Sequence, residues 1–188
     1  TVATIPVDRK FAAEFGVVER MADGRIVRFI EKDPEAPGFP GEPGKVLASM
    51  GNYVFSTDSL LRMVHEDALD RASSHDFGKD ILPKRLEHER IFAYDFRNNR
   101  IPGEPGNGSN YWRDVGTVDA YYEANMEIRS LAPPLNLYNR RWPLRTASYP
   151  DPPARFETNA VGQTGEAHGS LISGGCVVAG SVRDSVLG

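Results

Sequence analysis

Side chains able to do chemistry gather at two short stretches of this chain. In Tyr111-Trp112-Arg113-Asp114-Val115-Gly116-Thr117, two large rings and an arginine lead into a lone aspartate, and a helix-like segment from Val118 to Leu131 follows. A carboxylate just before a helix, beside rings able to cover a ligand, suits a metal ion or a sugar hydroxyl. The plainer reading makes Asp114 a turn or capping residue and Trp112 ordinary core, and composition alone favours it. The second stretch is Glu31-Lys32, at the end of an apolar run. Strand alternation puts these two side chains on opposite faces unless a bend intervenes. A lysine at a sheet rim can meet a phosphate as a point charge, although most such pairs are only a solvated strand end. Between the two lie Ser49 and Gly51, small enough for a ligand or another backbone to come close, and Tyr53, either core or a presented hydroxyl.

Patterning supplies the elements that would hold these groups. Thr1–Val7 is β-branched and predicts a strand; residues 8–14 form a polar connector with room for a short helical turn. Phe15–Glu19 and Arg25–Lys32 flank Asp23-Gly24 as a hairpin. Residues 33–44 carry four prolines and three glycines and cannot be regular structure; this loop is a pocket wall or a surface excursion. Val46–Phe55 reads as a central strand. Ser56, Thr57 and Asp58 offer caps for a helix through His65 with Leu60, Leu61 and Val64 as its buried stripe. Residues 72–80 read as a polar loop in which His75 is a hydrogen-bonding residue. Asp76-Phe77-Gly78 matches the magnesium triplet of protein kinases, but no other kinase signature is present. Arg90–Phe96 alternates as a strand, 97–110 is an exposed loop, and Tyr121, Tyr122, Ala124, Asn125 and Ile128 mark a mixed amphipathic helix ended by Pro133-Pro134. The proline-rich stretch after it is an ordered linker, since Leu137, Tyr138, Trp142 and Leu144 need packing partners. From Ala167 to Val182, small and β-branched residues recur about every six positions, the mark of a parallel β-helix, here for about one coil.

The totals narrow the function. A formal net charge of -4 gives no basic footprint for nucleic acid. No apolar run approaches a membrane span. A single cysteine, Cys176, excludes an intrachain disulfide framework and a cysteine-rich zinc site and suits a reducing, cytoplasmic setting. The chain is expected to open inside a domain and to stop abruptly.

Six motifs occur in order: Phe29-Ile30-Glu31-Lys32, Ala48-Ser49-Met50-Gly51-Asn52-Tyr53, Ser74-His75-Asp76-Phe77-Gly78-Lys79-Asp80, Tyr111–Thr117, Tyr138–Thr146 and Ser173-Gly174-Gly175-Cys176. Together they resemble the bacterial glucose-1-phosphate adenylyltransferases, or ADP-glucose pyrophosphorylases, over nearly the whole chain. The resemblance implies an α/β fold: the C-terminal half of a Rossmann-like nucleotidyltransferase domain, followed by the start of a left-handed parallel β-helix. Its divisions fall at 1–133, a linker 134–153, and 154–188.

The implied reaction joins ATP and glucose 1-phosphate into ADP-glucose and pyrophosphate, for glycogen biosynthesis. Glu31, Ser49, Tyr53, Asp76, Phe77 and Trp112 are then implied as the glucose pocket, with Gly16 as a close backbone approach. Lys32 holds the sugar phosphate, and Asp114 is one of two magnesium-binding aspartates. Two polyanions must approach each other, so cations at the transfer point are required. A homotetramer and small-molecule allosteric effectors are implied as well. The family's glycine-rich nucleotide loop, its second metal aspartate and its allosteric basic residues have no counterpart in these 188 residues, and Asp33 stands where the family has proline. Competing readings are a related sugar-1-phosphate nucleotidyltransferase, a non-catalytic regulatory subunit and a hexapeptide acyltransferase. Retention of Lys32 and Asp114 argues against the second, and the lack of a convincing catalytic histidine against the third.

Overall fold

The β-branched opening of the chain forms the strand its composition predicts. This is β1 (Val2–Asp8), followed by a 3-10 turn over Arg9–Glu14 and the hairpin of β2 (Gly16–Arg20) and β3 (Ile26–Glu31). The computed structural model describes residues 1–104, 110–147 and 149–188 and divides into two units, Thr1–Asn98 and Asn99–Gly188. Residues 105–109 of the expected loop and residue 148 of the expected linker lie outside the described residues.

In the first unit, β4 (Lys45–Tyr53) and β5 (Ala93–Asp95) complete a mixed sheet in the order β3-β2-β4-β1-β5. β1 pairs with β5 in parallel; the other pairings are antiparallel. β4 is central, as its apolar run predicts, and Val46, Leu47 and Ala48 are almost fully buried. Alternation sends neighbouring residues to opposite faces. Val18 and Phe29 join Val2, Ile26, Leu82 and Ile91 in one core cluster, while Val17 and Ile30 join Ala12, Ala36 and Val46 in the other. The sheet is therefore covered on both sides, which is the packing of an α/β unit. The proline-rich loop packs through Ala36 on the side opposite Phe29, and its Phe39 ring lies 5.6 Å from both the Arg20 and Arg97 guanidinium carbons.

Several expectations shift. Helix α1 (Thr57–Ala68) runs three residues beyond His65, and its buried positions are Met63 and Asp67, whereas Leu61 and Val64 are exposed. Asp67 turns inward because two side chains of the following loop bond its carboxylate. Residues 77–81 are not loop but a π-turn, capped by Asp76 and running into α2 (Leu82–Arg85). The strand expected over 90–96 shrinks to β5, because Arg97 folds back onto Asp95 and a 3-10 turn over Phe96–Asn98 follows.

In the second unit, α3 (Val118–Ile128) is capped by Thr117, whose Oγ1 accepts from Ala120 N at 3.1 Å. It stops before the predicted Leu131; Ala124 is buried while Tyr121 and Tyr122 are exposed. The linker is ordered by a polar residue and not by its apolar ones. Asn139 is buried; it donates to Pro102 O and Glu104 and accepts from Arg141 N and Trp142 N. Tyr138, Trp142 and Leu144 stay exposed. One amide that satisfies four partners outweighs partial burial of three rings and chains that water already covers.

The C-terminal strands are β6 (Arg155–Phe156), β7 (Glu166–His168), β8 (Leu171–Ile172), β9 (Val177–Val178), β10 (Ser181–Arg183) and β11 (Val186–Leu187). They pair in parallel as β6 with β9, β7 with β10 and β8 with β11. Two successive three-strand turns thus stack, one more than the sequence pattern suggests. The signal of the first turn is interrupted by the excursion bridged at Thr158 and Thr164.

Candidate functional site

Strand β3 carries Glu31 to the sheet rim, and the register places Gly16 of β2 directly across from it. A Cβ on Gly16 would stand 2.6 Å from Phe29 Cε1 and 2.9 Å from Glu31 Oε2; one on Gly78 would stand 3.0 Å from the same Oε2. The Glu31 carboxylate therefore occupies space that two glycines leave open. Lys32 has φ 51°, the bend that interrupts alternation, so its Nζ comes back to 4.0 Å from Glu31 Oε1. A pair at that distance whose lysine stands in solvent contributes about 0–1 kcal/mol. The left-handed backbone of a non-glycine residue costs about 1 kcal/mol or more. The bend is thus not maintained by the ion pair, and such strain concentrates where side chains must be presented to a ligand.

Asp76 and Phe77 reach the same place from the turn that packs against β3. Asp76 Oδ1 accepts from Gly78 N at 2.7 Å and Lys79 N at 2.8 Å, which caps the π-turn. The Phe77 ring stacks on Tyr53 with centroids 5.5 Å apart, and Phe55 closes the trio at 5.6 Å from Phe77 and 5.9 Å from Tyr53. Ser49, buried in β4, accepts from Gly51 N at 3.3 Å. Burial first, then the nearby Asp76 carboxylate, push the Glu31 carboxyl above its ordinary value, with Lys32 opposing. Burial likewise pushes the Tyr53 hydroxyl up; a hydrogen bond with Ser49 opposes this, and Asp76 and Glu31 add to it. Gly16, Glu31, Lys32, Ser49, Tyr53, Asp76 and Phe77 are thus gathered in one unit as a set of oxygen acceptors, one cation and an aromatic wall.

Trp112 and Asp114 belong to the second unit. Trp112 is half-buried and Asp114 exposed. Arg113 between them is fixed by a two-pronged bond to Glu127 of α3, its Nε 3.0 Å from Oε2. Asp114 is not the helix cap, since Thr117 fills that role. Its carboxylate instead lies beside Gly116, where a Cβ would come within 3.4 Å of Oδ2. Among the described residues, no group of three or more His, Cys, Asp or Glu side chains could hold a metal ion. A lone exposed carboxylate does fit magnesium, which takes one or two carboxylates and fills its remaining positions with water and phosphate oxygens.

The family model described as nucleotidyl transferase matches residues 1–130. The chain belongs to the nucleotidyl transferase family. A second model, described as GlmU-like, C-terminal hexapeptide, matches residues 152–188 of this nucleotidyl transferase chain, where the stacked turns lie. The chain is 48% identical to a glucose-1-phosphate adenylyltransferase of Thermus thermophilus, covering 100% of this chain and 45% of that protein. It is 47% identical to one of Anaeromyxobacter sp. (96% and 44%) and 45% identical to one of Corynebacterium jeikeium (100% and 45%). The resemblance read from the six motifs is borne out. The chain spans about 45% of the length of these curated relatives.

In this nucleotidyl transferase chain, two neighbours of the site and one buried carboxylate outside it escape sequence reasoning. Phe55 lies two residues beyond Tyr53 and Gly78 directly follows Phe77, and an N-capping aspartate followed two residues later by glycine is the signal for the latter. Asp67 is the third. A carboxylate on an amphipathic helix reads as solvated, and nothing local marks it as buried. Among the described residues no helix is long and apolar enough to cross a membrane.

Proposed function

We propose that the protein carrying this chain makes ADP-glucose and pyrophosphate from ATP and glucose 1-phosphate, and that this chain supplies the sugar-phosphate half of the site. The observation that supports the reading is the gathering of Glu31, Ser49, Tyr53, Asp76 and Phe77 in one unit, with the Glu31 carboxylate seated in the space that Gly16 and Gly78 leave open, in a chain similar to proteins of that name. Sugar hydroxyls are hydrogen-bond donors. Two carboxylates whose charges repel each other in the free protein are preorganised acceptors, and a ligand that donates to both relieves the repulsion. The rings of Tyr53 and Phe77 give the apolar face of the sugar a surface to lie on.

The reaction needs no covalent nucleophile. A phosphate oxygen of glucose 1-phosphate attacks the α-phosphorus of ATP in line, a new P–O bond forms, and the bond to the departing pyrophosphate breaks. Lys32, presented at the rim by its left-handed backbone, holds the attacking phosphate and offsets its charge. Magnesium, when bound, supplies charge neutralisation and polarises phosphoryl oxygens. Asp114 is the residue here that would help to hold it.

In the same reading the divisions of the chain are 1–133, 134–153 and 154–188, the first of them Rossmann-like. The stacked turns are the start of a left-handed parallel β-helix. The whole protein is a cytoplasmic homotetramer of glycogen biosynthesis under small-molecule allosteric control. The test is pyrophosphate release by the full-length protein with magnesium, pairing ATP, UTP, GTP or dTTP with glucose 1-phosphate or mannose 1-phosphate. Release with ATP and glucose 1-phosphate alone is expected. Release with another pair moves the protein to a sister activity, and none at all from folded protein defeats the catalytic reading.

A further inference from the structure

Asp67 closes the last turn of α1 and is only 7% exposed, yet it touches none of the groups assigned to the sugar. Its two oxygens are both used. Oδ1 accepts from Ser73 Oγ at 2.6 Å and Oδ2 lies 2.7 Å from His75 Nδ1. Ser73 Oγ in turn accepts from His75 N at 3.0 Å. These three contacts tether His75, whose φ is 62°, one of three described non-glycine residues with positive φ. A side chain with a Cβ adopts that backbone only when its surroundings hold it there. The next residue is Asp76, and the one after it Phe77. The left-handed step at His75 sets the direction in which the chain delivers both, with Asp76 Oδ1 turned onto Gly78 N and Lys79 N and the Phe77 ring onto Tyr53.

We propose that Asp67 is a positioning residue for the sugar-phosphate site: through Ser73 and His75 it fixes the backbone that presents Asp76 and Phe77 beside Glu31 and Tyr53. The inference rests on the reading of that site given above. Asp67 acts at a distance and only on the sugar half, so its removal weakens glucose 1-phosphate selectively. Chemistry also predicts which substitutions are tolerated. Asparagine keeps an oxygen to accept from Ser73 and offers an N–H to His75 Nδ1, so it can hold the loop without charge. Glycine at 75 adopts positive φ freely, while valine resists it.

The experiment is steady-state kinetics on the full-length protein with Asp67→Ala, Asp67→Asn, His75→Gly and His75→Val. Thermal melts and hydrogen exchange of the peptide spanning residues 73–81 accompany it. Asp67→Ala is expected to raise KM for glucose 1-phosphate about tenfold, to leave KM for ATP within about twofold, and to speed exchange in that peptide. Asp67→Asn stays within about threefold of the starting protein on every parameter, and His75→Val is worse than His75→Gly. Met63→Ala, buried on the same helix one turn before Asp67, serves as the control for lost stability. Equal effects on both substrates, or a glucose 1-phosphate effect from Met63→Ala matched to its loss of melting temperature, would overturn the proposal. If the unsubstituted protein shows no turnover with glucose 1-phosphate, the site reading fails, and unchanged exchange at 73–81 in Asp67→Ala removes the positioning role separately.

Discussion

Glu31 shows what a binding residue costs its own fold. Burial and Asp76 raise its carboxyl above the ordinary 4.5, so the folded protein binds this proton more tightly than the unfolded chain does. Stability therefore falls as pH rises from that ordinary value through the raised folded one, and the penalty is complete above it. Glu31→Gln removes the penalty. At pH 7 it is expected to raise Tm slightly, by ~1 °C after allowance for solvent screening, and the difference should vanish near pH 4. The same change is expected to raise KM for glucose 1-phosphate about tenfold, the loss of a charge-assisted hydrogen bond. A variant that melts lower at pH 7 and binds sugar normally would make Glu31 structural. Lys32→Gln is expected to raise KM for glucose 1-phosphate by at least ~10-fold and to leave ATP within about twofold, with no loss of Tm, because its contact with Glu31 is long and its own side chain is mostly in solvent. Matching losses for both substrates would remove it from the sugar phosphate.

Elements set where those residues can stand. The hairpin register puts Gly16 opposite Glu31, and the π-turn carries Gly78 to the same oxygen. Gly16→Ala is expected to cost about 1–3 kcal/mol through overpacking against Phe29 and to weaken glucose 1-phosphate binding by moving Glu31. Gly44→Ala meets nothing within 4 Å and should change stability by less than about 0.5 kcal/mol. Chemical denaturation of both variants checks the pair; equal midpoints would mean that the strand yields without strain. Helix α1 carries a different lesson. Apolar spacing nominates Leu61 and Val64 for its buried face, but the helix is rotated so that Asp67 meets Ser73 and His75, and those leucine and valine side chains remain in water.

At the scale of the molecule the two units have different sources of stability. The first has a sheet covered on both faces. The hexapeptide region has, among the described residues, two stacked turns and little beyond Val178 fully buried. Repeats of this kind depend on neighbours, so one buried charge has few contacts to absorb it. Val178→Asp is expected to open 152–188 to limited proteolysis at temperatures where 1–98 remains intact; equal protection of both would show the turns to be held from elsewhere. Order and identity of motifs, the hairpin, the central strand and the six-residue recurrence are local patterns, and the sequence by itself determined them along with the family. Tertiary structure alone decided that one Glu31 oxygen lies between glycines at 16 and 78, that Lys32 and His75 adopt left-handed backbone, and that Asp67 and Asn139 are buried. The glycines around Glu31 and the partners of Asn139 come from distant parts of the chain, and Asp67 meets Ser73 and His75 only because the loop after α1 turns back onto the helix. Periodicity and propensity carry no record of such contacts.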